Sequence, residues 1–110
     1  MTLAKPWLAH YQAGVPAEID YKIYQSLTDL LDQAFKQHAK RDAVAFMDVR
    51  WTYQQLDDLS TALAAWFQSR GLAKGARIAL MMPNVPQYMV AIAAVLRAGY
   101  VVVNVNPLYT

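Results

Sequence analysis

Apolar residues recur along this chain at two distinct periods. Leu27, Leu30, Leu31, Ala34, Phe35 and Ala39 stand at i, i+3, i+4, i+7, i+8 and i+12, while Asp32, Gln33, Lys36, Gln37 and Lys40 fall largely on the other side, which is the stripe of an amphipathic helix. Ser26 or Thr28 can accept from the unpaired N–H groups of its first turn, where the helix dipole favours Asp29. A second helix is predicted to run to about Arg70, with Leu56, Leu59, Leu63, Trp66 and Phe67 turned inward. Thr52 and Gln55 give it the spacing of a capping box, and Gly71 lies where a left-handed C-cap belongs. A third helix, capped by Asn84 with Pro86 in its first turn, is expected to reach about Arg97 before Gly99 stops it. It is apolar nearly all round, leaving Gln87, Tyr88 and Arg97 for water, as in a helix buried between layers.

The strands come from shorter runs. Ala43 to Met47 and Arg50 to Tyr53, with Asp48-Val49 as the turn, predict a tight hairpin. Ile78 to Met82 has almost no alternation and reads as a strand covered on both faces, and Val101 to Val105 is a β-branched run broken only by Asn104. The order is helix, hairpin, helix, strand, helix, strand, with two crossovers of about the length parallel strands require. The fold class is therefore α/β, the N-terminal part of a layered α/β domain with a short hairpin, parallel strands and three helices. Residues 1–25 hold Pro6, Gly14, Pro16 and the aromatics Trp7, Tyr11, Tyr21 and Tyr24, and read as an aromatic N-terminal arm draped over a body formed by residues 26–110.

Composition narrows the classes of function. With 110 residues, 56% of them hydrophobic and 16% charged, the chain is a core-forming globular protein of single-domain size. From Ile78 to Thr110 only Arg97 is charged, too apolar for the outside of an independent protein, so this half is expected to be covered by further polypeptide. The ten Lys and Arg are scattered singly except for Lys40-Arg41, which gives no phosphate-tracking stripe and argues against nucleic acid. No cysteine is present, so disulfides, a thiolate nucleophile and cysteine-ligated metals are excluded. Ile78 to Leu96 has the length of a membrane span without a charge, but Pro83, Asn84, Pro86 and Gln87 interrupt it. A signal peptide is equally unsupported, and the expected setting is cytoplasmic.

Candidate chemistry is sparse. Ser26, Ser60 and Ser69 each have a structural place near a cap or on a helix face, and His10 and His38 lie far apart without metal-ligand spacing. Asp57 and Asp58 are adjacent on a helix and diverge by about 100 degrees, unlike a facing catalytic pair. Gly71-Leu-Ala-Lys-Gly75 precedes a strand rather than a helix, so it reads as a turn and not a phosphate cradle. No catalytic, cofactor-binding or metal residue is assigned.

Two segments carry a resemblance. Trp51-Thr52-Tyr53-Gln54-Gln55-Leu56 resembles the first core motif of adenylate-forming enzymes, and Leu96-Arg97-Ala98-Gly99 with its following strand and Pro107 resembles the second. Lys74-Gly75-Ala76-Arg77-Ile78-Ala79-Leu80 and Met82-Pro83-Asn84 with Gln87-Tyr88 are similar to the stretches between them. Ala76 stands where the family usually has aspartate, and Trp51 where an aliphatic residue is common; both are scaffold positions. The likeness covers about residues 24–110, and the Val-Asn-Val-Asn-Pro-Leu-Tyr-Thr ending is most similar to bacterial long-chain fatty acid CoA ligases.

The resemblance implies a two-step reaction in a longer parent. Fatty acid and ATP give acyl-adenylate and pyrophosphate, with Mg2+ assisting, and coenzyme A then takes the acyl group as a thioester. The family's phosphate loop, adenine and ribose contacts and C-terminal lysine would all follow Thr110. ATP, Mg2+ and coenzyme A are thus implied for the parent, with no cofactor held in this chain, which is expected to be inactive by itself. Its partners are then the rest of the synthetase or a second copy through the apolar C-terminal half, with inner-membrane contact implied by resemblance alone. The alternative is a non-catalytic interaction module on the same scaffold. A nucleotide-binding α/β protein of another kind is disfavoured by the missing glycine loop.

Overall fold

Three helices pack on one another in the computed structural model, which describes residues 3–109. They are α1 (Leu27–Gln37), α2 (Tyr53–Ser69) and α3 (Pro86–Arg97). β1 (Asp42–Phe46) and β2 (Val49–Thr52) pair antiparallel, and β3 (Arg77–Leu80) and β4 (Val101–Asn104) pair parallel. Through α3 the chain crosses from β3 to β4 and completes a βαβ unit. The second crossover expected from the sequence does not join paired strands: β2 and β3 lie in two separate two-stranded sheets.

Local chemistry sets most of the boundaries. Ser26 Oγ accepts from the Asp29 N–H at 3.0 Å and starts α1. At α2 the capping box is complete, with Thr52 Oγ1 accepting from Gln55 N–H at 3.2 Å and Gln55 Oε1 accepting from Thr52 N–H at 2.9 Å. Gly71 (φ +72°) and Gly99 (φ +88°) take the left-handed conformation just past α2 and α3, where any Cβ would be strained.

Three local expectations need correction. The hairpin turns at Met47-Asp48, since Val49 pairs with Phe46; a β-branched residue favours the extended strand, and Met47 takes the left-handed conformation instead (φ 51°). Val85, not Asn84, is the N-cap of α3 and makes no side-chain cap bond; Pro86 at the first helical position removes one N–H that would otherwise need a partner. α1 stops at Gln37, so Ala39 lies beyond the helix, and its carbonyl accepts from Gln54 N–H at 3.0 Å.

The core lies on both sides of α3. Phe35, Leu56, Val90 and Ala93 meet under α1 and the hairpin, whereas Leu80, Ala91, Val95 and Tyr100 meet over the parallel strands. Leu63 touches both clusters. Ala94 and Val95 have no exposed surface, and α3 is the buried middle layer that its all-round apolar composition predicts. The α2 stripe is rotated from the expected one. Leu56, Ser60 and Ala64 are buried and Leu63 and Phe67 half-buried, while Leu59 is 43% and Trp66 54% exposed. Small side chains at Ser60 and Ala64 let α2 approach α3 closely, a seam that a search for large side chains passes over.

Two regions are left uncovered. β3 buries Leu80 and half-buries Ile78 against α3, but Arg77, Ala79, Val101 and Val103 are exposed on the other face, so the strand expected to be covered on both sides is covered on one. The arm contains a short 3-10 helix, Pro6–His10. None of its described residues is buried, and Leu8 alone is half-buried; the expected draping over the body is not seen among the described residues.

Candidate functional site

Parallel strands put their carboxyl ends on one edge, and the loops leaving that edge are where α/β proteins build sites. Here the loop after β3 and the turn after β4 enclose an open cleft of about 600 Å3. Met82, Pro83, Asn84, Tyr88, Asn104 and Asn106 are among its lining residues. Tyr88, in the first turn of α3, places its hydroxyl 2.7 Å from Asn104 Oδ1 and 3.3 Å from the Leu80 carbonyl oxygen, so the one phenolic proton is shared between the ends of both strands. Asn106 Oδ1 accepts from Leu108 N–H at 2.9 Å and folds the chain back over the cleft.

No charged side chain lines this cleft. Its carboxamides and phenol can donate and accept hydrogen bonds, and its prolines, Met82 and Leu108 offer apolar contact. They supply neither a proton-transfer group poised near neutral pH nor a counter-charge for phosphate. Tyr88, assigned to water from the sequence, is half-buried and structural; the signal for its partner was Asn104, the one polar residue in a β-branched run.

The strongest electrostatic feature lies elsewhere. Arg97, also expected in water, is only 19% exposed at its side chain and sits between all three helices. Its Nη2 donates to Asp57 Oδ1 at 2.6 Å, and its Nη1 donates to Ser60 Oγ at 2.8 Å, Thr61 Oγ1 at 3.0 Å and the Asp57 carbonyl oxygen at 3.1 Å. Asp32 Oδ1 is 3.1 Å from Nη2 but is not aligned for a hydrogen bond, so α1 is held coulombically. Phe35 packs its ring 5.2 Å below the guanidinium. This is a fastener, not a reaction centre: the hydrogen bonds of Nη1 and Nη2 all go to groups of α2.

The remaining residues considered from sequence are dispersed. Ser69 donates to the Trp66 carbonyl oxygen, His10 lies in the exposed arm, and His38 ends α1 with its ring 5.7 Å from that of Tyr53. Asp58 accepts from Gln54, on a different side of α2 from Asp57. In the Gly71–Gly75 segment Ala76 N–H donates to the Ala73 carbonyl oxygen at 3.0 Å, closing a turn over Lys74-Gly75, and Gly75 N–H donates to the Gly99 carbonyl oxygen. Among the described residues, no three His, Asp or Glu side chains gather as a metal site, and no helix is long and apolar enough to cross a membrane.

Known proteins share this arrangement. The long-chain-fatty-acid–CoA ligase of Escherichia coli O6:H1 is 49% identical over 109 residues, which are 98% of this chain and 19% of that protein. Its Bacillus subtilis counterpart is 36% identical over 110 residues, all of this chain and 20% of that one. Pseudomonine synthase PmsE of Pseudomonas entomophila is 33% identical over 84 residues, 76% of this chain and 14% of that protein. Among solved structures, the Klebsiella oxytoca NpsA N-terminal subdomain superposes with a TM-score of 0.73 at 28% identity, over 77% of this chain and 22% of that one. The chain thus spans about a fifth of the length of the fatty-acid ligases and matches their N-terminal part. The AMP-binding enzyme family model matches residues 31–110, and the chain belongs to that family.

Proposed function

We propose that this chain is the N-terminal scaffold of a long-chain fatty acid–CoA ligase and contributes no reacting group by itself. The observation that carries the reading is end-to-end similarity, arm included, to ligases five times as long, one of them 49% identical. In such a ligase the fatty-acid carboxylate attacks the α-phosphorus of ATP, expelling pyrophosphate, and the coenzyme A thiol then displaces AMP. The residues present here do not fit ATP, Mg2+ or coenzyme A phosphates: the cleft has no cation, carboxylate or glycine-rich turn, so no step is assigned to this chain.

Its contribution is a wall. A two-stranded parallel sheet with one bare apolar face is half of a structure whose other face is normally covered. Ala79, Val101 and Val103 form that face, with Arg77 at its amino end beside Val101, and we assign its cover to the rest of the ligase polypeptide, with residues 26–110 as the incomplete first subdomain and residues 1–25 as the arm. A cytoplasmic setting goes with this reading.

Fatty-acid-dependent exchange of pyrophosphate into ATP tests it. The isolated chain is expected to show none, while a chimera carrying it in place of the matching segment of the Escherichia coli ligase is expected to be active. Exchange by the isolated chain would show that it holds reacting groups. An inactive but folded chimera, together with a stable dimer of the isolated chain lost on Val103→Asp, would favour the self-associating module instead.

A further inference from the structure

We infer that the arm, residues 3–25, is a docking strap that binds an apolar surface on the remaining polypeptide of a long-chain ligase and is not part of the general adenylating scaffold. This rests on the ligase reading above and adds a partner surface to it.

Three observations converge. The first is exposure: Leu3 is 81%, Ile19 86%, Tyr21 81% and Ile23 61% exposed. Single exposed apolar residues are ordinary, but a segment holding this many with none buried is a binding element without its partner. The second is pattern. From Glu18 to Ile23 charged and apolar residues alternate strictly, the signature of a segment with one face covered, and nothing in residues 26–109 covers it. The arm is anchored at one end, where Gln25 N–H donates to Asp29 Oδ2 at 3.1 Å and fixes its junction with α1, and Lys5 pairs with Glu18 within the arm itself.

The third observation identifies the occupant. The family model begins at residue 31, beyond the arm. The Escherichia coli and Bacillus subtilis fatty-acid ligases align over 98% and all of this chain, arm included. The arm is therefore shared with fatty-acid ligases while lying outside the family model. Those ligases have about four-fifths of their length outside the match, and that body is the polypeptide the arm accompanies.

The test compares hydrogen exchange of the arm amides in the isolated chain and in the Escherichia coli ligase chimera. Exchange at residues 15–25 is expected to be at least tenfold slower in the chimera, and the combined change Ile19→Ser, Tyr21→Ser, Ile23→Ser is expected to restore the fast rate. A chimera that is active yet exchanges its arm as fast as the isolated chain overturns the inference while leaving the ligase reading intact. Slow exchange in the isolated chain that vanishes on dilution would assign the arm to a second copy and also overturns it. If the whole chimera does not fold, the arm alone is grafted onto the ligase and read in the same way.

Discussion

The two sides of α3 are built to different degrees of completion. On one side, α1, α2 and the hairpin close over Phe35, Leu56 and Val90, and Arg97 fastens the three helices with bonds to both backbone and side chains. On the other, Leu80, Val95 and Tyr100 pack against a two-stranded sheet whose far face is bare. Both sides use the same helix and equally apolar residues. What separates them is whether polar groups and ends are satisfied: caps, ion pairs and left-handed glycines finish the first side, while the second ends in unpaired strand edges. A catalytic centre needs groups held on rigid elements, and the open side offers a strand edge whose cleft is lined by no charged side chain.

Removing the fastener should have the largest effect. Arg97→Met leaves the Asp57 carboxylate without its partner in a partly buried site, and a loss of about 3 kcal/mol is expected, the low end for a buried pair since Asp32 remains 40% exposed. Urea unfolding followed by circular dichroism measures it. A loss under about 1 kcal/mol would mean that the closed side owes its stability to packing alone.

A pair of valines separates the two sides next. Val95 is fully buried on α3, whereas Val103 is 37% exposed on the outer face of β4. Val95→Ala should cost about 2 kcal/mol through lost burial and the cavity left behind, and Val103→Ala should stay within about 0.5 kcal/mol. Equal costs in the same unfolding assay would show that the outer face is already covered in solution.

Much of the closed side was legible in the sequence, because it depends on neighbours within one turn. Ser26, Thr52, Gln55, Gly71 and Gly99 act on groups three or four residues away, and their positions hold in the structure. The junction was not legible. Arg97 reaches Asp57 and Asp32 across two other elements, and the close approach depends on Ser60 and Ala64, small residues that no periodicity of large side chains reveals. A usable hint was there: Arg97 is the single charge between Ile78 and Thr110, and a charge in so apolar a setting requires partners. The cleft was hidden for the same reason, since Tyr88 and Asn104 meet only once β3 and β4 pair.

The α2 cap tests a local device on the closed side. Thr52→Ala removes the acceptor for Gln55 N–H, and about 1 kcal/mol should be lost. Gln55→Ala removes the reciprocal bond to Thr52 N–H and should cost less, because that N–H can turn to water. An equal loss from the two in the unfolding assay would show that the box acts as one unit.

The smallest effect is expected at the start of α1. Asp29 accepts from the Gln33 side chain at 3.0 Å and from Gln25 N–H at 3.1 Å, and these bonds hold its pKa below the ordinary 3.8. A carboxylate that ionises more readily folded than unfolded stabilises the fold fully above its unfolded pKa, and that contribution fades as pH falls through the folded value. The parent chain should therefore lose more stability than Asp29→Asn between pH 5 and pH 3, about the window set by these shifts, when urea midpoints are compared. The difference should be slight, because the group lies at the surface and water competes for both bonds. Parallel curves for the two proteins would mean that the bonds to Gln33 and Gln25 exchange freely with solvent. The N-terminus of α1 would then belong, with the arm, to the unfinished part of the molecule.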